Sequence, residues 1–144
     1  MNGNPLRTGA PQRHVPGAVV WGLRILGAAL LAAMAWIHLD LWLDGYRTID
    51  VVGPAFLLNV LAGFGLAALL LVTPRSLVGS VAVLGILTAA GTVAGLLLAT
   101  TVGLFGFVES TAAALWWESF WVEVAAVVVL AGLAVLTLRG RRAG

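Results

Sequence analysis

The stretch Val51–Leu104, VVGPAFLLNVLAGFGLAALLLVTPRSLVGSVAVLGILTAAGTVAGLLLATTVGL, decides the fold, because it carries one charged residue, Arg75. A helix crossing a bilayer needs about 20 apolar residues at roughly 1.5 Å each. Both sides of the Thr73-Pro74-Arg75 break meet that length, giving one span over Val51–Val72 and another over Leu77–Leu104. Pro54 falls in the first turn of its span, where a missing N–H does no harm. So short a turn returns the chain antiparallel to itself, and Gly103–Phe107 (GLFGF) reads as the exit from lipid.

Toward the N-terminus, a polar connector, Asp44–Asp50 (DGYRTID), precedes this hairpin. It follows a further apolar stretch, Gly17–Leu43, with Arg24 near its start. Toward the C-terminus, Ala112–Leu138 is a fourth span, closed by the basic tail RGRRAG at 139–144. Residues 1–16 contain Pro5, Pro11 and Pro16 with Gly3 and Gly9, and read as a disordered tail. The expectation is an all-α protein, a single four-helix transmembrane bundle over 17–138 between two short tails.

Composition agrees. The chain is 61% hydrophobic and 10% charged, with mean hydropathy +1.06, whereas a water-facing domain needs about 25% charged residues. The pI near 10.5 could suggest nucleic acid, but net charge is only +2 and no basic face exists outside the ends. No nucleic-acid partner is expected. The absence of Cys excludes disulfides, thiolate metal sites and dithiol redox chemistry.

Arginine placement gives the orientation. Arg7, Arg13, Arg24, Arg75, Arg139, Arg141 and Arg142 fall at one end, and only Arg47 at the other. The positive-inside rule then puts both termini in the cytoplasm of a plasma-membrane protein. All six acids (Asp40, Asp44, Asp50, Glu109, Glu118, Glu123) and five of the six Trp (Trp36, Trp42, Trp116, Trp117, Trp121) lie at the outer end. The stretch through Ala33-Met34-Ala35 also matches a signal peptide with its cleavage triplet, but the apolar run continues to Leu39, so a span is expected.

Lipid offers no hydrophobic drive for helices to associate, so small residues must let backbones approach closely. Gly91, Gly95, Ala99 and Gly103 form such a ridge, as do Asn59, Gly63 and Ala67, and the first span offers Ala29 and Ala33. These are expected as helix seams. The Gly91/Gly95 pair equally suits a homo-oligomer face.

Counting from the inner boundary places Glu123 ~22 Å up a core of ~30 Å. Asn59 and Thr92 come out at a similar level, beneath His38 at the interface itself. A carboxylate at that depth is costly unless paired, neutral or wetted, so Glu123 must face inward. It either locks the helices, protonated or hydrogen-bonded to Asn59, or serves a function. The candidate ligand-binding set is His38, Arg47, Asn59, Glu118 and Glu123. Asp44, Arg47 and Asp50 are expected to pair across their connector, and Glu118 to sit as an anchor within the Trp116–Trp121 cluster.

Catalytic sets are missing: no P-loop, HExxH, GxSxG or dinucleotide glycine pattern occurs. His14 and His38 lie at opposite ends, which excludes a bis-histidine haem, and one His with scattered acids is a poor zinc site. Neither metal nor cofactor is expected. A transport path would need polar groups through the inner half, where only Ser80 and Thr88 stand beside Arg24.

His38-Leu39-Asp40-Leu41-Trp42-Leu43-Asp44-Gly45-Tyr46-Arg47 with Ile49, Phe56-Leu57-Leu58-Asn59, Gly103–Phe107 with Glu109, and Val122-Glu123 together resemble a group of small four-span actinobacterial membrane proteins. The resemblance covers about Leu23 to Leu138. It implies a four-helix membrane fold and carries no assigned activity. A looser similarity, in size and span number, is to DoxX-like four-span proteins, without the cysteines of their redox-active relatives. From these observations the leading expectation is a non-enzymatic accessory or scaffold subunit contacting lipid or a membrane-protein partner. The alternative is an outward-facing protein that binds a ligand, metal or cofactor.

Overall fold

The structure, a computed structural model, describes residues 16–142. The tail expected to be disordered, with Arg7, Arg13 and His14, lies outside the described residues, apart from Pro16. The chain forms four helices, α1 (Gly17–Leu43), α2 (Val52–Val72), α3 (Val78–Thr101) and α4 (Trp116–Arg142), with a 3-10 turn at Tyr46–Thr48. Each of the four is long and apolar enough to cross a membrane. The protein is a multi-pass, all-α four-helix bundle.

Local chemistry sets the helix ends. α2 stops where Thr73 turns extended ahead of Pro74, whose ring disfavours helical backbone before it. α3 stops at Thr101 rather than Leu104. Gly103 takes a left-handed φ of +83° and its N–H reaches back to Leu98 O at 2.9 Å, the six-to-one closure that glycine permits. GLFGF is a hairpin turn. Phe105 and Gly106 have φ of +50° and +82°, and Leu104 and Phe107 exchange backbone hydrogen bonds of 2.7 and 2.9 Å. Glu109 N–H then bonds Ala99 O at 3.0 Å, pinning this connector to the end of α3. α4 starts at Trp116, later than Ala112, because residues 104–115 are spent on these turns, and it runs on through Arg142.

Around the bundle α1 packs on α2 and α4, and α3 on α4; α2 and α3 are the most loosely joined neighbours. The core is correspondingly one-sided. Its most enclosed apolar members (Leu31, Met34, Leu70, Val78, Leu130, Leu133) lie from the middle of the bundle toward the end that holds the start of α1 and the 73–77 turn. Met34 and Ala35, in the triplet that resembled a cleavage site, are fully enclosed within α1.

Glycine makes the seams. A Cβ at Gly63 would stand 2.8 Å from Ala35 Cβ and 3.0 Å from Leu31 O, so α1 and α2 touch there as the α2 ridge predicts. A Cβ at Gly27 would meet Leu130 at 2.8 Å, and one at Gly85 the same leucine at 2.8 Å. Elsewhere the expected ridges are displaced. Ala29 is exposed, and α1 presents Gly27, Ala28 and Leu31 instead. Gly91 and Gly95 have nothing within 4 Å of an added Cβ and form no seam within the chain.

Gly63→Leu is therefore expected to destabilise the bundle by about 1–3 kcal/mol through overpacking. Gly91→Leu should stay within about 0.5 kcal/mol of the parent, as a surface change does. Thermal unfolding in detergent measures both, and equal losses would contradict the assigned seams.

Candidate functional site

Where the core ends, a cavity begins. α2 and α3 are the least closely joined neighbours, and residues of all four helices and both connectors line an open cavity of about 540 Å³. Its walls are mostly apolar: Leu41, Val52, Ala55, Leu58, Ala62, Gly91, Gly95, Leu96 and Ala99. The polar side chains include His38, Asn59, Thr92, Ser119 and Glu123.

Glu123 is fully enclosed. Its Oε1 accepts from Ser119 Oγ at 2.9 Å, a bond one turn back along its own helix, while Oε2 has no partner. The expected bond to Asn59 is not made, because that amide is engaged with α3. Thr92 Oγ donates to Thr88 O at 2.8 Å, so it must accept from Asn59, whose Nδ2 lies 2.6 Å away. This fixes the amide orientation and leaves Asn59 Oδ1 buried and unpartnered. The matched depths of Asn59 and Thr92 are thus realised as a bond between α2 and α3.

His38 is buried within the bundle, where Phe56 covers it at 4.8 Å between ring centroids. Its Nδ1 faces Met34 O at 2.9 Å. A carbonyl only accepts, so Nδ1 carries hydrogen and, in the neutral ring, Nε2 presents its lone pair. Nε2 stands 3.9 Å from Glu123 Oε1, too far for a hydrogen bond. Three acceptors, His38 Nε2, Asn59 Oδ1 and Glu123 Oε2, thus belong to side chains of one apolar cavity. Such a set suits a group that donates hydrogens.

The other two candidates stand apart. Arg47 and Glu118 are exposed and do not line the cavity. Arg47 acts through its backbone, against which Gly53 is packed so closely that a Cβ would lie 2.7 Å from Arg47 O. The expected pairing of Arg47 with Asp44 and Asp50 is not formed; His38–Glu123 is the only acid–base contact among the described residues. Long, solvated side chains gain little from such a pair. No group of three or more His, Asp or Glu that could hold a metal occurs among the described residues.

Sequence reasoning passed over the cover of the site. Tyr46 Oη donates to Glu109 Oε2 at 2.5 Å, joining the two connectors, and the ring stacks on Phe56 at 4.9 Å and meets Phe107 edge-on at 5.8 Å. Both residues lie in the irregular connectors, and no spacing in the sequence ties one to the other. Left-handed backbone also gathers at this end. Val51, Phe105 and Leu115, with φ of +65°, +50° and +59°, all line the cavity. Non-glycine residues held there cost about 1–3 kcal/mol each, and such strain concentrates at binding sites.

Fold and cavity together define the class: a four-helix membrane protein whose bundle is closed at one end and hollow at the other. No family model matches the chain, and no curated protein or solved structure is significantly similar to it.

Burial, then the Glu109 bond and charge, push the Tyr46 phenol above its ordinary range. The folded state therefore holds this proton when the unfolded chain releases it near pH ~10. The stabilisation is complete below that value and declines as pH rises above it. Tyr46 is the sole tyrosine, so phenolate absorbance reads it directly. The midpoint should lie well above that of free tyrosine, and Glu109→Gln should return it only part of the way, burial being the larger cause. An ordinary midpoint in the parent would dissolve the clasp.

Proposed function

We propose that this chain is an outward-facing ligand-binding protein of the plasma membrane, with both termini cytoplasmic. Its ligand is a small amphiphile whose hydrogen-bond-donating head, best an amine, enters the cavity at Glu123. The carrying observation is the unpartnered Glu123 Oε2, fully buried beside a cavity walled mostly by apolar groups. An ammonium supplies both the opposite charge and several donors, which suit Glu123 together with the lone pairs of Asn59 Oδ1 and His38 Nε2. The apolar walls take the body of the molecule, as ligand cavities usually do.

A purely structural role for Glu123 is poorly supported. Its hydrogen bond runs within α4 and joins no helices. An accessory-subunit role would draw on the exposed aromatics of the same end, such as Trp36, Trp117 and Trp121. Headgroup contact already accounts for those. The proposed orientation rests on the arginines, and alkaline phosphatase fused after Gly144 should be inactive, with a fluorescent fusion at the same point bright.

The ligand class is tested with chain-brominated dodecylamine and dodecanoic acid, since bromine quenches tryptophan and Trp116 lines the cavity. The amine should quench saturably and the acid should not. Glu123→Gln should weaken the amine about ten- to a hundredfold, the worth of a charge-assisted hydrogen bond. Gly91→Leu with Gly95→Leu should abolish saturation with thermal stability retained. Indifference to these changes would remove the reading.

A further inference from the structure

At the opposite end, between the start of α1 and the turn after α2, lies a smaller cavity of about 260 Å³ walled in part by Val20, Trp21, Arg24, Thr73 and Arg75. Arg24 is buried. Its Nε donates to Leu70 O at 2.7 Å, and its Nη2 to Leu71 O at 3.0 Å and Thr73 O at 2.8 Å. These are carbonyls at the end of α2, where the helix provides no further donors, so one edge of the guanidinium caps α2. Its face lies 4.3 Å from the Trp21 ring. That leaves Nη1 outside these bonds.

Arg75 brings a second guanidinium to the same cavity, with Nη1 reaching the start of α1, 3.7 Å from where a Gly17 Cβ would stand. Neither arginine pairs with a carboxylate, for the single acid–base contact among the described residues is His38–Glu123, at the far end. Carbonyl dipoles soften the charge of Arg24 without cancelling it. Two cations sharing a cavity need an anion, and guanidinium edges match phosphate oxygens. Around them stand the indole of Trp21, of a residue type that favours the headgroup level, and the apolar Val20, Leu71 and Val72.

We propose that this cavity holds the phosphodiester of an anionic phospholipid. Arg24 Nη1 and Arg75 donate to its non-bridging oxygens, Trp21 sits beside the glycerol, and the acyl chains run along Val72. A free phosphate would gain nothing from those apolar walls, which is why a lipid is the occupant. In the proposed orientation the site faces the cytoplasmic leaflet, where anionic headgroups attract basic residues near the surface. The inference does not depend on the cavity around Glu123.

The full chain in uncharged detergent, titrated separately with phosphatidylglycerol, phosphatidylcholine and inorganic phosphate, provides the test. Lipid retention is read by native mass spectrometry and stabilisation by thermal unfolding. Phosphatidylglycerol should be retained and should raise the unfolding midpoint, and the other two should do neither. Arg75→Gln, which spares the cap that Arg24 places on α2, should weaken retention about tenfold or more, the worth of a hydrogen bond to a charged group. Arg139→Gln, at the same end but off the cavity, should leave it unchanged. Equal retention of phosphatidylcholine, an equal loss in the Arg139 variant, or full retention in the Arg75 variant would overturn the site. Stabilisation by inorganic phosphate at the same concentration would overturn the lipid as its occupant.

Discussion

Hydrocarbon cannot hydrogen-bond, so a carboxyl group carried into a bilayer must find every partner within the protein. Glu123 has no exposure and a single hydrogen bond, from Ser119, for its two oxygens. Much of the architecture follows from where that group has to point. α4 must turn its Glu123 face inward and its Val128 and Val135 face to lipid. The helices opposite must then surround the carboxyl without filling its space. A leucine in place of Glu123, with an alanine in place of Ser119, would leave neither side chain with an unsatisfied polar atom, and replacing both partners of a buried hydrogen bond by apolar groups can be nearly neutral or stabilising. The bundle carries a cost at this position that its stability does not require.

That cost is tolerable because the rest of the bundle is closed by contact rather than by polarity. Leu130 sits where Gly27 of α1 and Gly85 of α3 leave no room for a Cβ, so one side chain of α4 is gripped from two sides. Gly63 does the same between α1 and α2. In lipid these close approaches replace the hydrophobic drive that water would have supplied. No comparable grip joins α2 to α3 at their far ends, where one bond, Asn59 to Thr92, crosses the gap. Spreading apart there takes little from the core, and the hollow lies at the level of the unsatisfied acid.

The four spans were legible because hydrophobic length is a property of sequence alone, and the shared level of Asn59 and Thr92 because a helix rises evenly. Partnership was less so. Counting residues brought Asn59 and Thr92 to one level, and it equally allowed Asn59 and Glu123 to bond. Helix rotation, which span length does not encode, decided for Thr92. The same ambiguity affected the glycines. Gly63 and Gly91 look alike in sequence, each in a small-xxx-small ridge, yet one touches α1 and the other faces open space. Arg47 and Glu118 have the right chemistry at the right end, but both point away from the cavity. Tyr46 and Glu109 lie far apart in the chain, and only the folding of two irregular connectors makes them a pair.

That pair bears on how a ligand would arrive. On the connector side, the Tyr46–Glu109 clasp, Phe56 and Phe107 lie over His38, and the strained backbone at Val51, Phe105 and Leu115 is held within the same rim. Between α2 and α3 the walls are instead Ala55, Ala62, Gly91 and Gly95, which offer little bulk. Under the proposed reading, a molecule coming from water would have to part aromatic rings and a charge-assisted hydrogen bond. One coming from the bilayer meets small and aliphatic side chains, Leu58 and Leu96 among them, and the single Asn59–Thr92 bond. The apolar walls favour the same side, because a ligand dissolved in lipid needs no further desolvation of its body to enter. Its head alone changes surroundings, exchanging the headgroup region for Glu123, Asn59 and His38. The selectivity of such a site would rest on that exchange, which is where its acceptors are concentrated.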